Sequence, residues 1–248
     1  MRARVIPCLL LRGHGLVKTR KFKDPVYVGD PVNAVRIFSE KEVDELVILD
    51  IDASREGREP DYELVAEIAG ECFMPVAYGG GVRSLAQARK LIRAGIEKVV
   101  VNSAAVASQD FIREIAGVFG SQAVVGAIDA KKTLLGGHRV YVRSGTKDTG
   151  LKPEDHALAL EQAGVGEIFL NSIDCDGQMA GFDLSLIKKV SAKVNVPVVA
   201  CGGAGSVADL RQALVEGGAS AVSAGSMFVF HGKHRAVLIN YPADAITL

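Results

Sequence analysis

The feature that most restricts how this chain can fold is an alternation. A short apolar, β-branched run is followed by a helical pattern, eight times in 248 residues. The runs cover residues 5–11, 46–51, 75–78, 98–102, 123–129, 167–172, 196–201 and 221–225. Apolar residues continue through each without strict polar alternation, as in strands buried on both faces. Between them, Asp30-Pro31 is an N-cap with proline at the first helical position, leading into Val35, Phe38 and Val43. Ser84 with Gln87, and Ser206 with Asp209, predict capping boxes opening helices through Leu91 and Leu214, and Gly95 closes the first. Leu64, Val65 and Ile68 mark a further helix, as do Phe111, Ile112 and Ile115. Strand then helix, eight times over, is the pattern of an α/β (β/α)8 TIM barrel, expected as one domain over residues 1–248. A doubly wound sheet would carry a glycine fingerprint after its first strand, and none is there.

The chain also repeats itself at about 122 positions. Pro75-Val76 with Gly79-Gly80-Gly81 and Ser84 corresponds to Pro197-Val198 with Gly202-Gly203 and Ser206. At the same spacing Glu45 faces Glu167 and Asp52 faces Asp174, and one extra residue brings Ser103 onto Ser226. A period of half the chain implies two similar half-barrels of four units each.

Composition removes several classes of function. Lys+Arg and Asp+Glu are both 29, so no global field draws nucleic acid or an anionic membrane. The apolar stretch after the basic Met1-Arg2-Ala3-Arg4 stops at Arg12, too short for a span and without a signal-peptide cleavage site. Cys8, Cys72, Cys175 and Cys201 form no Cys-x-x-Cys pair, and buried thiols in a reducing cytoplasm are the plain reading. His231 and His234 have metal-ligand spacing but lie in a basic tail. No metal or cofactor is expected.

Two glycine-rich turns lie where a barrel binds anions. Gly80-Gly81 and Gly202-Gly203 follow a strand and precede a capped helix, and Asn102-Ser103 and Gly225-Ser226 follow the next strand of each half. Glycines there also make tight turns; two symmetry-related copies favour a pair of phosphate cradles. Asp129 ends the fifth strand, where a barrel places a general acid or base. Aligning the first strand on it puts Leu10 at the opposing position, and leucine transfers no proton. Asp50, Asp52, Asp174 and Asp176 are expected to ring the same mouth.

Over nearly its whole length the chain resembles the cyclase subunit of imidazole glycerol phosphate synthase. The carriers include Ile6-Pro7-Cys8-Leu9, Gly29-Asp30-Pro31, Asp44-Glu45-Leu46, Asn102-Ser103-Ala104-Ala105-Val106, Ala127-Ile128-Asp129-Ala130, Asp174-x-Asp176-Gly177 and Gly202-Gly203-Ala204-Gly205. The resemblance implies a barrel that takes ammonia from a separate glutaminase, in a heterodimer, and uses it on a substrate with a phosphate at each end. It assigns Asp176 and Gly177 to the phosphate sites and Lys18 to the substrate. It also matches Arg4, Glu45, Lys98 and Glu167, each directly before an apolar strand, to a charged ring at the ammonia entrance. The family uses two catalytic aspartates; one carries over to Asp129 and the other falls on Leu10.

The first loop, residues 20–28, and the tail, residues 232–242, depart from the cyclase and resemble a branch found in surface-polysaccharide clusters. There a glutaminase and this barrel supply ammonia to a third enzyme that amidinates a sugar, so the ligand expected is a phosphorylated or nucleotide-linked small molecule. Two alternatives stay open: a working cyclase in which Asp50 or Asp174 covers for Leu10, and a non-catalytic barrel that activates its glutaminase.

Overall fold

Eight parallel strands form where the apolar runs lie: β1 (Arg4–Arg12), β2 (Leu46–Asp50), β3 (Val76–Gly79), β4 (Lys98–Val101), β5 (Val124–Lys132), β6 (Glu167–Ser172), β7 (Val198–Cys201) and β8 (Ala221–Ala224). The computed structural model describes residues 3–134, 136–232 and 234–242; Met1 and Arg2 of the basic start and Lys233 of the tail lie outside them. Each strand pairs in parallel with its sequence neighbour, and β8 returns to β1, so the sheet closes into a barrel. The longest register lies within the second half, between β5 and β6, from Val125 opposite Glu167 to Ala130 opposite Ser172. Closure leaves these strands no free edge.

Seven helices of eight or more residues cover the barrel among the described residues: α1 (Pro31–Glu40), α2 (Tyr62–Gly70), α3 (Leu85–Arg93), α4 (Asp110–Phe119), α5 (Pro153–Ala163), α6 (Leu184–Ser191) and α7 (Val207–Val215). None is long and apolar enough to cross a membrane. Their starts follow the local chemistry: Asp30, Asp61, Ser84, Asp183 and Ser206 each accept an N–H bond from the first turn. The reciprocal bond expected of both capping boxes forms only at Ser206, where Asp209 reaches back to the cap N–H. At Ser84 the longer Gln87 side chain overshoots and accepts from Arg83 N at 2.8 Å.

The eighth unit departs from the pattern. After β8 the chain makes a single turn, Ser226–Val229, then a two-stranded ribbon of Phe230–His231 against Ala236–Val237. The seat of a last helix is taken instead by Tyr241. Its ring lies 5.2 Å from that of Phe228, and its hydroxyl donates to Val5 O at 3.3 Å. Among the described residues no helix follows Val229. Two further excursions rise beyond the C-terminal ends of the strands: a hairpin of Gly15–Arg20 and Lys23–Gly29 after β1, and His138–Val142 antiparallel to the end of β5.

If the tail completes the core, Tyr241→Ala lowers stability by roughly 3 kcal/mol in equilibrium urea unfolding. A change within about 0.5 kcal/mol would mark the tail as an ornament.

Candidate active site at the barrel mouth

Side chains alternate along a strand, so every second residue points into the barrel. The inward rows are Arg4, Ile6, Cys8 and Leu10 on β1; Glu45, Val47 and Leu49 on and just before β2; Lys98, Val100 and Asn102 on and just after β4; Val125, Ala127 and Asp129 on β5; and Glu167, Phe169 and Asn171 on β6. Ile6, Val47, Ala77, Val100, Val125, Phe169 and Val199 form a buried apolar plug between the two faces. Charge lies below it and a polar cleft above it.

Below, the four charges sit in one closed ring. Arg4 bonds Glu45 at 2.6 Å and also bonds Glu167. Lys98 Nζ lies 2.7 Å from Glu45 and 3.1 Å from Glu167. Both carboxylates are buried and each meets both cations. Alternating charge lets the ring tolerate the desolvation that an unpaired buried carboxylate could not. The ring spans the axis at the N-terminal end of the strands.

Above, a cleft of about 1250 Å³, open to solvent, is lined by residues from all eight units. Gly80 corresponds to Gly202 and Gly81 to Gly203, and all four have positive φ: +126° and +87° for the first pair, +72° and +121° for the second. A Cβ at Gly80 would meet Asp50 O at 2.6 Å, and one at Gly203 would meet Gly181 O at 2.1 Å. Conformation and space therefore both demand glycine, and they leave bare backbone facing the cleft. Gly81, Asn102, Ser103, Asp176, Gly177, Gly202, Gly225 and Ser226 line the same space. The cradles are not equally vacant: Gly81 N already donates to Ser54 Oγ at 3.3 Å, and Ser103 Oγ accepts from Arg143 N at 3.1 Å. Asn102 Oδ1 and Asn171 Oδ1 are buried without a partner, which suits ligand N–H donors.

The acids divide sharply. Asp129 lines the cleft and accepts from Asn102 Nδ2 at 2.9 Å. Burial, then the charge of Asp176, pushes its carboxyl up to about 7, with the Asn102 bond opposing. A group poised near neutrality can take or give a proton. Leu10 lines the cleft from β1, four strands away around the barrel, and packs with Leu49 on the apolar plug. Asp50 also lines the cleft, but its carboxylate is consumed. Arg58 holds it with bonds of 3.0 and 3.1 Å, and its Oδ1 accepts from Asp52 N and Ala53 N. Asp52 is likewise paired, with Arg12 and Arg55. The expected ring of mouth aspartates is therefore incomplete: neither Asp52 nor Asp174 lines the cleft, and Asp174 Oδ2 accepts from Lys132 N at 2.7 Å. Asp176 does line it, with its carboxyl raised by burial and bonded by Thr19 Oγ1 at 2.7 Å and Phe22 N at 3.3 Å.

Lys18 is buried with its ammonium donating to Cys8 O, and desolvation lowers its pKa. The ammonium packs against Gly225, where a Cβ would lie 2.3 Å from Nζ and would require the side chain to shift. The sequence did not point to Thr19, Phe22 or Ser144. Thr19 and Phe22 come from the first hairpin. Ser144, at φ +55°, follows the β5 excursion and donates to Ile51 O. The signal available for it was the Arg143-Ser144-Gly145 turn directly after an apolar run.

Comparison with known proteins agrees with this architecture. The family profile described as histidine biosynthesis protein matches residues 4–235. A Pseudomonas aeruginosa protein, provisionally named imidazole glycerol phosphate synthase subunit hisF2, is 61% identical over 242 residues, which cover 98% of this chain and 96% of that protein. A Leptospira interrogans protein with the provisional name of subunit HisF is 51% identical, with the same two coverages. Imidazole glycerol phosphate synthase subunit HisF of Alkaliphilus metalliredigens is 44% identical over 228 residues, 92% of this chain and 90% of that one.

The raised Asp129 carboxyl has a measurable consequence. An aspartate whose folded pKa exceeds its unfolded value, here 3.8, stabilises the fold while protonated. That contribution is full below the unfolded pKa and is lost as pH rises through about 7. Asp129→Asn therefore removes the loss: its Tm falls less than that of the unsubstituted protein between pH 4 and pH 8 and exceeds it at pH 8. Parallel Tm curves would place Asp129 in an ordinary solvated setting.

Proposed function

The chain belongs to the histidine biosynthesis protein family, as a HisF-like subunit of imidazole glycerol phosphate synthase type, and from that premise we propose that it is an ammonia-delivering barrel rather than a cyclase. In this reading a separate glutaminase docks at the N-terminal face and releases ammonia at the Arg4–Glu45–Lys98–Glu167 ring. Ammonia then passes the apolar plug to the mouth, where it serves amidination of a sugar in surface-polysaccharide synthesis. The mouth holds a phosphorylated or nucleotide-linked ligand between its two cradles.

The observation that carries the reading is the pairing of a complete ring with Leu10. Neutral ammonia crosses an apolar interior at little cost, whereas ammonium would leave its charge unpaired there. Displacing one cation, Lys98 or Arg4, opens a gap in the ring. At the other end a two-acid reaction needs a carboxylate from each half, and the first half offers an alkyl group. The candidates to replace it are poorly placed. Asp50 is tied at both oxygens by Arg58, and Asp174 faces away from the cleft. Asp176 follows β6, beside the strand of Asp129 instead of across from it. The cyclase alternative thus gains no support from the site.

The test is cyclisation of the phosphoribulosyl-formimino ribotide with excess ammonium salt and no glutaminase. The protein gives no turnover, and Leu10→Asp restores it by about 10²–10⁴-fold over the background, the worth of one general acid–base group. Turnover at an ordinary enzymatic rate by the unsubstituted protein would overturn the reading. The glutaminase side is checked separately. Phe73 is 94% exposed between α2 and β3, on the face that carries the ring. Phe73→Glu weakens binding of the cognate glutaminase at least tenfold in calorimetry, and unchanged affinity would remove this face as the docking site.

A further inference from the structure

We propose that Arg20 and Arg235 form an additional anion subsite at the rim of the second cradle, which extends the ligand recognised there from a phosphate ester to a diphosphate ester. The inference rests on the cradle reading above and deepens it. Gly177, a lining residue of the second cradle, lies between the two arginines. Arg235 reaches it from the tail, with Nη1 and Nη2 donating to Gly177 O at 3.3 and 3.4 Å. Arg20 lies on its other side, at the tip of the first hairpin; a Cβ on Gly177 would stand 3.1 Å from Arg20 Cα.

What sets these arginines apart is the lack of compensation. In the first half, Arg12 and Arg55 are paired with Asp52, and Arg58 with Asp50. Among the described residues neither Arg20 nor Arg235 has an ion-pair partner. The nearby Asp176 spends its Oδ2 on Thr19 and Phe22. Burial and the charge of Arg20 both lower the pKa of Arg235, the sign of a cation held where it is not neutralised. Its position is nonetheless fixed: the guanidinium carbon lies 4.6 Å from the centroid of the Phe230 ring. A planar guanidinium offers five donors in a rigid fork, and the Gly177 carbonyl takes only two of them.

The fixed, unneutralised guanidinium of Arg235 and the unpaired Arg20 flank Gly177 and together suit a second anionic group joined to the first. A second phosphoryl joined to the cradle phosphate supplies the negative charge that these two arginines lack. Its binding relieves the repulsion between the arginines and joins the first hairpin to the tail across the mouth.

Calorimetric titration of the intact chain with inorganic phosphate and with inorganic pyrophosphate, at low ionic strength and without divalent metal, tests this. Pyrophosphate binds about tenfold or more tightly than phosphate, as one added charge-assisted contact gives. Arg235→Ala and Arg20→Ala each abolish that preference and leave phosphate affinity within about twofold. The second variant guards the test, because exposed Arg20 makes no side-chain bond on which folding depends. Equal affinity for the two anions, or a preference that survives both substitutions, overturns the arginine subsite and leaves the cradle standing. Pyrophosphate bound with phosphate excluded, and lost in both variants, overturns the cradle and leaves the subsite. Binding of neither anion overturns both.

Discussion

The two-residue period of a closed parallel barrel ties the two ends of this molecule together. Once β5 pairs with β6 and the sheet closes, the parity of every strand is set, and a slip of one residue would turn charges and lining residues outward together. Glu167, Phe169 and Asn171 are successive inward residues of one strand; Lys98, Val100 and Asn102 are the same three layers on another. A charged entrance, an apolar middle and a polar mouth are thus one geometric fact repeated around the axis. The ring in turn depends on that parity. Buried Glu45 and Glu167 are tolerable only because Arg4 and Lys98 arrive at the same level from β1 and β4.

Much of this was legible in the sequence because burial on both faces writes an uninterrupted apolar run, and the eight runs mark the eight strands to within three residues at either end. The ring was legible for a related reason: a charge directly before such a run sits at its N-terminal end. The two matching glycine turns announced themselves by spacing and were found with positive φ at both glycines of each pair. What failed to show was side-chain choice among competing partners. Nothing periodic marks Arg58 as the residue that captures Asp50, since the contact depends on how the chain turns after β2. Asp174 and Asp176 are two residues apart in one turn, and which one faces the cleft is a matter of turn geometry. Phe22 and Ser144 reach the mouth only because hairpins carry them there. At Ser84, one extra methylene in Gln87 redirected a bond that the motif alone could not place.

The half-barrel repeat makes the departures from symmetry informative. The glycine pairs at 80–81 and 202–203 and the carboxylates at 45 and 167 recur in both halves, and these are the features that set backbone shape and the entrance. The mouth is where the halves diverge. The first half contributes Leu10 and locks Asp50 and Asp52 into arginine pairs, so its carboxylates hold the loop after β2 in place and leave little free charge. The second half keeps Asp129 and Asp176 in the cleft, and Arg235 of its tail has no carboxylate partner among the described residues.

That polarity bears on how a barrel could keep conducting ammonia after its own two-acid chemistry is lost. In the proposed reading, passage through the axis is set by the ring and the apolar plug, which lie a layer or more below the mouth and do not involve position 10. Catalysis by paired acids depends on position 10 alone in the first half. The two functions are therefore separable by one substitution, in this direction only. Losing a ring charge would strand a buried carboxylate and destabilise the barrel, whereas leucine at position 10 extends the plug by one apolar layer beside Leu49 and is accommodated by contacts already present. Physical chemistry thus makes the entrance the harder feature to lose and the catalytic acid the easier one, which is the combination this chain carries.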